Sequence, residues 1–196
     1  MVLNLHSPSH ELLLEFALDL LGHSNVTLDE QFKFSLCTDI VDGLCYLHDS
    51  PVRFHGRLSS RVCLIDNRFT VKLADYGLPT LYHSITEDEN KCLWKAPELL
   101  RGKTAEEGEG READIYSCAI VMEEVFSREA PYFAESDLLT VDEILDRVAA
   151  GLSPPFRPST KIWSDEMKGL IEQCWAEEPK QRPTAAGVKN SLRRIT

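Results

Sequence analysis

The sequence lacks an excess of cations, a Cys-x-x-Cys pair and a long apolar run. Its 21 lysines and arginines stand against 32 aspartates and glutamates, which gives a formal net charge of −11. That charge argues against a nucleic-acid partner, because phosphate binding needs basic patches. No run reaches the roughly 18 apolar residues of a membrane-spanning helix, so we expect no membrane contact by this segment itself.

Two further absences concern cysteine chemistry and targeting. The six cysteines have the spacing of neither a metal site nor a disulfide framework, and several lie in apolar runs such as Val62-Cys63-Leu64. Buried free thiols are the simplest interpretation.

The N-terminus has no basic region and no small-residue cleavage site, so no signal peptide is predicted. The remaining composition, 43% hydrophobic and 27% charged, suits one soluble globular domain.

The hydrophobic pattern predicts a mainly helical chain. A short helix is predicted over residues 10–22, and a longer one from a capping box at Thr27 and Glu30 to about His48. The apolar runs 62–65 and 70–73 predict a two-stranded hairpin.

The second half of the chain is predicted to be mainly helical. Residues 112–126 are apolar on nearly the whole helical circumference, which places that helix in the centre of a domain. A capping box at Thr140 and Glu143 begins another helix, which Gly151 closes. Ser164 and Thr184 begin the last two.

Several short motifs follow one another on these predicted elements. His55, the triplet Asp75-Tyr76-Gly77 and the triplet Ala96-Pro97-Glu98 occur in an order that resembles the C-terminal lobe of a protein kinase. Asp114, at the start of the central helix, and Arg182 match two further positions of that lobe. The resemblance implies a mainly α fold, a helical bundle with a small β-hairpin.

In that fold, residues 1–10 would be an irregular N-terminal segment and residues 11–196 the kinase-like C-lobe, with the N-terminal lobe missing from the chain. A narrower resemblance covers roughly residues 9–196. Residues 54–78 (FHGRLSSRVCLIDNRFTVKLADYGL) are similar to the kinase homology domain of receptor guanylyl cyclases, as are the stretches LWKAPELLR, PPFRP and CWAEEPKQRP.

The narrower resemblance implies a regulatory segment on the cytoplasmic side of a single-pass receptor. Its partners would be the kinase N-lobe and the cyclase domain of the parent chain, within a homodimer, and the fragment alone would be soluble. The parent would convert GTP to cyclic GMP, and no residue of this chain would carry out that reaction. The alternatives are a free-standing pseudokinase scaffold and an active protein kinase with an atypical loop.

The loop itself lacks the residues that phosphoryl transfer needs. Residues 50–65 contain no aspartate, glutamate or asparagine, whereas a kinase loop uses an aspartate as base and an asparagine to hold Mg²⁺. Arg57 stands at the aspartate position, and an arginine is a cation at pH 7 that cannot accept a proton. Val62 stands at the asparagine position and has no side-chain oxygen. We therefore predict a degenerate loop (His55, Arg57, Val62) with no catalytic residue.

Asp75 is the remaining candidate for holding a metal or a nucleotide. It could bind a cation or accept hydrogen bonds from backbone amides at the turn, and the sequence does not separate these roles. Arg57 could contact a phosphate or pair with Asp75, and the ion pair is favoured slightly. The family resemblance implies ATP, but these residues predict that ATP binding is weak and Mg²⁺ doubtful.

Three residues are predicted to be structural. Glu98 and Arg182 should form a largely buried ion pair, by their resemblance to the kinase pair. Asp114 should hold the His55 loop through backbone amides.

Overall fold

The computed structural model describes residues 15–16, 28–76, 92–103, 110–159 and 164–195. The α-helices in these ranges are α1 (Glu30–Asp49), α2 (Pro97–Leu100), α3 (Gly110–Ser127), α4 (Phe133–Ser136), α5 (Val141–Ala150), α6 (Asp165–Cys174) and α7 (Ala185–Ile195). The strands are β1 (Glu15–Phe16), β2 (Cys63–Ile65) and β3 (Val71–Leu73), and single 3-10 turns lie at Ser60–Val62 and Pro179–Gln181. Residues 1–10, expected to be irregular, lie outside the described ranges.

The small sheet contains the predicted hairpin and one additional strand. β2 and β3 pair antiparallel, with Cys63 opposite Leu73, and β1 pairs with the other edge of β2. The predicted helix over 10–22 is therefore wrong at Glu15 and Phe16, which form β1. The free edge of β2 offers unpaired backbone groups, and pairing with them overrides a weak local helix propensity. The other residues of that predicted helix lie outside the described ranges.

The long helix α1 begins at a different cap from the one predicted. Asp29 caps it by accepting a hydrogen bond from the Phe32 amide at 2.7 Å. Aspartate is at least as good an N-cap as threonine, so the helix begins at Glu30. Thr27 lies outside the described residues. The apolar face of α1 is buried against α3, α7 and β3.

The helix α3 is the centre of the described structure, as its apolar pattern predicts. Every residue from Ala113 to Val125 is buried, including two glutamates and an aspartate. α1 and α6 pack against it. The capping box of Thr140 and Glu143 and the left-handed Gly151 bound α5, also as predicted. Within the described residues, no helix is long and apolar enough to cross a bilayer.

A buried ion pair joins α2 to the segment that follows α6. Glu98 is 1% exposed, and its two carboxylate oxygens accept hydrogen bonds from Nη1 and Nη2 of Arg182 at 2.7 and 2.8 Å. Arg182 also donates to the backbone carbonyls of Ala176 and Glu112, at 2.9 and 3.0 Å. Its guanidinium lies over the Tyr116 ring, 5.2 Å from the centroid. One side chain therefore connects α2, the start of α3 and the chain after α6.

We predict that Glu98→Ala lowers the free energy of unfolding by about 3–5 kcal/mol, because it leaves the Arg182 charge buried and unpaired. Chemical denaturation of the purified chain measures the effect. The matched control is Glu172→Ala, which removes one partner of an exposed pair with Lys168 at 4.0 Å and should cost less than about 1 kcal/mol. Equal losses in the two variants would contradict the structural role of the buried pair.

Candidate functional site

A cavity of about 230 Å³, which we call the cleft, lies between the loop after α1 and the segment before α2. The residues that line it are Gly56, Arg57, Leu58, Ser59, Arg61, Val62, Asp75, Cys92, Trp94, Lys95, Leu99 and Ser117. Three of the predicted site residues, Arg57, Val62 and Asp75, are therefore brought to one cavity.

Asp114 fixes the backbone of the loop that forms one wall of the cleft. Its carboxylate, which is 1% exposed, accepts the amides of His55 and Gly56 at 2.6 and 2.8 Å. His48 Nε2 lies 3.0 Å from the same carboxylate. Asp114 thus has three polar contacts in the interior, and they hold the loop against the start of α3.

His55 is a structural residue in this geometry. It is buried, and its Nδ1 accepts the Arg57 amide at 3.3 Å. Nε2 has no hydrogen-bond partner within the part of the chain that the structure describes. Burial lowers the pKa of His55, and the nearby Asp114 charge offsets only part of that effect. A neutral, enclosed imidazole of this kind has no route to a substrate proton.

Val62 lines the cleft from the end of the 3-10 turn. It is half-buried, and its backbone carbonyl accepts the Ala74 amide at 2.9 Å. That bond positions the side chain beside the cavity, where it presents only methyl groups. The described residues contain no group of three histidine, cysteine, aspartate or glutamate side chains that could hold a metal ion.

Asp75 sits in the cleft with an exposed side chain and a left-handed backbone, with φ of 57°. Aspartate tolerates that conformation better than most residues. Both Asp75 and Arg57 line the cleft, but these two described residues form no ion pair, so the favoured pairing is wrong. Exposed pairs gain little energy against the entropy of fixing two side chains, which explains the difference. Gly77 of the same triplet lies outside the described residues.

The sequence did not single out Glu124, which lies beneath the cleft. It is 1% exposed and accepts hydrogen bonds from Trp94 Nε1 at 2.6 Å and from Ser60 Oγ at 2.9 Å. Burial raises the pKa of Glu124 to about 8, so the group is mostly protonated at neutral pH. The sequence does contain a sign of its role, because a glutamate within an otherwise apolar helix needs buried hydrogen-bond partners.

The opposite wall of the cleft is built on Trp94, which is buried as a core residue. Ser117 Oγ donates to the Trp94 carbonyl at 2.8 Å, and the Arg61 guanidinium lies 5.8 Å from the Trp94 ring centroid. Lys95 follows on the same wall. The cleft is therefore held by buried bonds to α3 on both sides, and the charged residues among its described lining are Arg57, Arg61, Lys95 and Asp75.

Comparison with known proteins shows the family to which the chain is similar. The family model described as protein tyrosine and serine/threonine kinase matches residues 11–192. Atrial natriuretic peptide receptor 2 of Rattus norvegicus is 38% identical over 185 residues, which are 90% of this chain and 18% of the receptor.

Two further relatives come from invertebrates. Receptor-type guanylate cyclase gcy-28 of Caenorhabditis elegans is 35% identical over 198 residues, covering 90% of this chain and 16% of the relative. The resact receptor of Arbacia punctulata is 37% identical over 187 residues, covering 89% and 19%. The chain spans less than a fifth of the length of each of these three relatives.

The raised pKa of Glu124 makes stability depend on pH in a defined direction. The folded state holds a proton on this group up to about pH 8, whereas the ordinary pKa of the side chain is 4.5. The resulting stability is fully present below pH 4.5 and is lost as the pH rises through about 8. Glutamine at this position cannot titrate.

We predict that the wild-type chain loses stability relative to Glu124→Gln between pH 6 and pH 8.5, by at most about 1.4 kcal/mol per pH unit. Urea denaturation at several pH values measures the difference. Glu123, whose pKa burial also raises to about 8, is present in both proteins, so its own burial penalty is common to the two profiles. Parallel pH profiles for the two proteins would show that Glu124 is already ionised in the fold.

Proposed function

This chain belongs to the protein tyrosine and serine/threonine kinase family, and from that premise we propose that it is a catalytically inactive, regulatory member. The relatives reported above include receptor-type guanylate cyclases. We infer that the parent protein is of that type and converts GTP to cyclic GMP, while this segment passes a signal between its neighbouring parts. The segment would lie on the cytoplasmic side of the membrane.

The observation that carries the proposed inactivity is the pair of residues Arg57 and Val62 in the cleft. Phosphoryl transfer depends on a base that takes the hydroxyl proton and on side-chain oxygens that hold Mg²⁺ at the phosphates. Arg57 supplies a fixed positive charge, Val62 supplies methyl groups, and His55 is enclosed and neutral. Asp75 is the one carboxylate among the described residues lining the cleft.

Transmission by packing is supported by the way the cleft is attached to the helices. Asp114 ties the loop to α3, Glu124 ties both walls of the cleft to α3, and Arg182 ties α2 to the chain before α7. A displacement of either cleft wall would have to move α3 or break a buried polar contact. We propose that the N-lobe and the cyclase domain of the parent, in a homodimer, sense such displacements.

Nucleotide would play a minor part in this role. ATP carries several negative charges, which kinases offset with metal held by two side chains. Asp75 alone is a poor metal site, and without metal its charge repels the phosphates. We propose that ATP binds weakly and that Mg²⁺ does not strengthen the binding.

The first prediction is that the whole natural protein transfers no phosphate. It is incubated with labelled ATP, Mg²⁺ or Mn²⁺, and generic peptide substrates, and incorporation is compared with a vector-only preparation. Labelling should not exceed that background, because Arg57 cannot act as a base. Stoichiometric labelling of the protein or of a peptide would exclude the inactive assignment and support an atypical active kinase.

The second prediction concerns metal dependence. Calorimetric titration of the same protein with ATP should give the same weak affinity in Mg²⁺ and in chelator. The double variant Arg57→Asp with Val62→Asn should acquire metal dependence, since it restores both oxygen-bearing side chains. Wild-type affinity in the micromolar range that disappears on chelation would reveal a working metal site. A double variant without any metal response would mean that these residues do not face the nucleotide.

A further inference from the structure

We infer that a second cavity, at the C-terminal end of α3, is a docking site for an arginine side chain of a partner protein. We call this cavity the acidic pocket. It is lined by the last turns of α3, by parts of the segment 129–137 that contains α4, and by Pro158 and Ser159. It shares no lining residue with the cleft, so its assignment is independent of the proposed function.

The acidic pocket carries carboxylates without a matching cation. Glu123, Glu129, Glu135 and Asp137 line it, and its described lining contains no lysine, arginine or histidine. Among the described residues, none of these four carboxylates forms an ion pair. A concave site lined by one sign of charge strengthens the field on an entering ion. The charge of the pocket is therefore complementary to a cationic group.

Glu123 is the most buried of the four carboxyl groups, with 5% of the residue exposed. Its hydrogen-bond partner is the hydroxyl of Ser127 on the same helix, and the charged groups that act on it are Glu129 and Glu135. Burial raises the pKa of Glu123 to about 8, and the two neighbouring carboxylates add to the effect. An ionised carboxylate in the interior needs a paired cation. A cation from a partner would supply it.

Glu135 gives a second indication, which does not depend on charge. Its Oε1 accepts the Ser159 amide at 3.1 Å and also the Ser159 hydroxyl. Its Oε2 is enclosed and has no hydrogen-bond partner in the described part of the chain. An enclosed acceptor without a donor loses its hydration and gains nothing in return. The pocket therefore favours a ligand that brings N–H donors as well as positive charge.

The shape and the walls of the pocket favour arginine over other cations. The described carboxylates form no group that could hold a metal ion. Phe133 lines the pocket with 52% of its surface exposed, and no residue of α4 is buried. A guanidinium stacks on an aromatic ring and offers five donors in a planar fork, whereas an ammonium is a compact, strongly hydrated charge.

The volume of the pocket indicates a single side chain as the occupant. At about 250 Å³, it is smaller than the roughly 300–1,000 Å³ of sites that enclose a drug-sized ligand. An arginine that projects from a protein segment places its guanidinium at the end of a flexible apolar stem. That stem would pack against the apolar wall while the segment itself stays at the surface.

The test is a titration of the isotopically labelled intact chain with the peptide acetyl-Gly-Gly-Arg-Gly-Gly-amide, followed by amide chemical shifts. Matched peptides carry citrulline, which keeps the shape without the charge, or lysine in place of the arginine. The arginine peptide should bind most tightly and shift amides within residues 129–137.

Variants of the chain assign the binding to the acidic pocket. Glu135→Gln should weaken it by about tenfold, because a charged hydrogen-bond acceptor is lost. Phe133→Ala, at an exposed position, should weaken it by about threefold through loss of the ring contact. The matched control is Glu172→Gln, which removes one charge from the exposed face of α6 and should leave the affinity unchanged.

Binding should also release a proton from Glu123. The free chain keeps this proton up to about pH 8, and a bound guanidinium stabilises the ionised form. Affinity should therefore rise with pH, by at most about tenfold per pH unit, and level off above about pH 8. Glu123→Gln should abolish the rise. Glu129, Glu135 and Asp137 remain in that variant, and the Tyr132 phenol, whose pKa burial raises well above its ordinary value, stays neutral.

Four results would overturn the inference. Equal affinity for the citrulline peptide would show that charge plays no part, and equal affinity for the lysine peptide would remove the preference for a guanidinium. Shifts confined to residues outside the acidic pocket would place the peptide elsewhere. Equal weakening by Glu172→Gln would reduce the effect to attraction by the overall negative charge of the chain.

Discussion

Buried charge at the N-terminal end of α3 is the constraint on which the rest of the described structure depends. Asp114 lies there with two loop amides and His48, and Arg182 pairs with Glu98 while donating to the Glu112 carbonyl. A charge taken out of water must be paired or hydrogen-bonded. The loop after α1, the short helix α2 and the segment after α6 are therefore obliged to meet at this one end of the central helix.

The residues that hold the fold together differ in burial from the residues that line the cleft. The framework residues Glu98, Asp114 and Arg182 are buried and have several polar partners each. Arg57 and Val62 are half-buried, and Asp75 is exposed. Substitution at such positions usually changes stability little. A kinase-like fold can therefore keep its shape while the residues lining its cleft change, which is the basis of the proposed regulatory role.

Those parts of the fold that depend on local patterns could be predicted from the sequence. The all-round apolar run of α3, the Thr140–Glu143 capping box and the β2–β3 hairpin are examples. β1 could not, because it exists only through pairing with the edge of β2. The apolar run around Glu124 marks it as a buried acid, but its partners Trp94 and Ser60 and its raised pKa depend on contacts that only the folded chain makes. The left-handed backbone of Asp75 is likewise not visible in the sequence.

The central claim is that the loop is held by Asp114 and not by the residues that occupy the catalytic positions. Hydrogen–deuterium exchange of the intact chain, followed at the His55 and Gly56 amides, tests it most directly. Asp114→Asn should accelerate exchange at both amides, because the carboxylate that accepts them is lost, whereas Arg57→Asp should leave their protection unchanged. Equal acceleration in the two variants, or none in Asp114→Asn, would contradict the account.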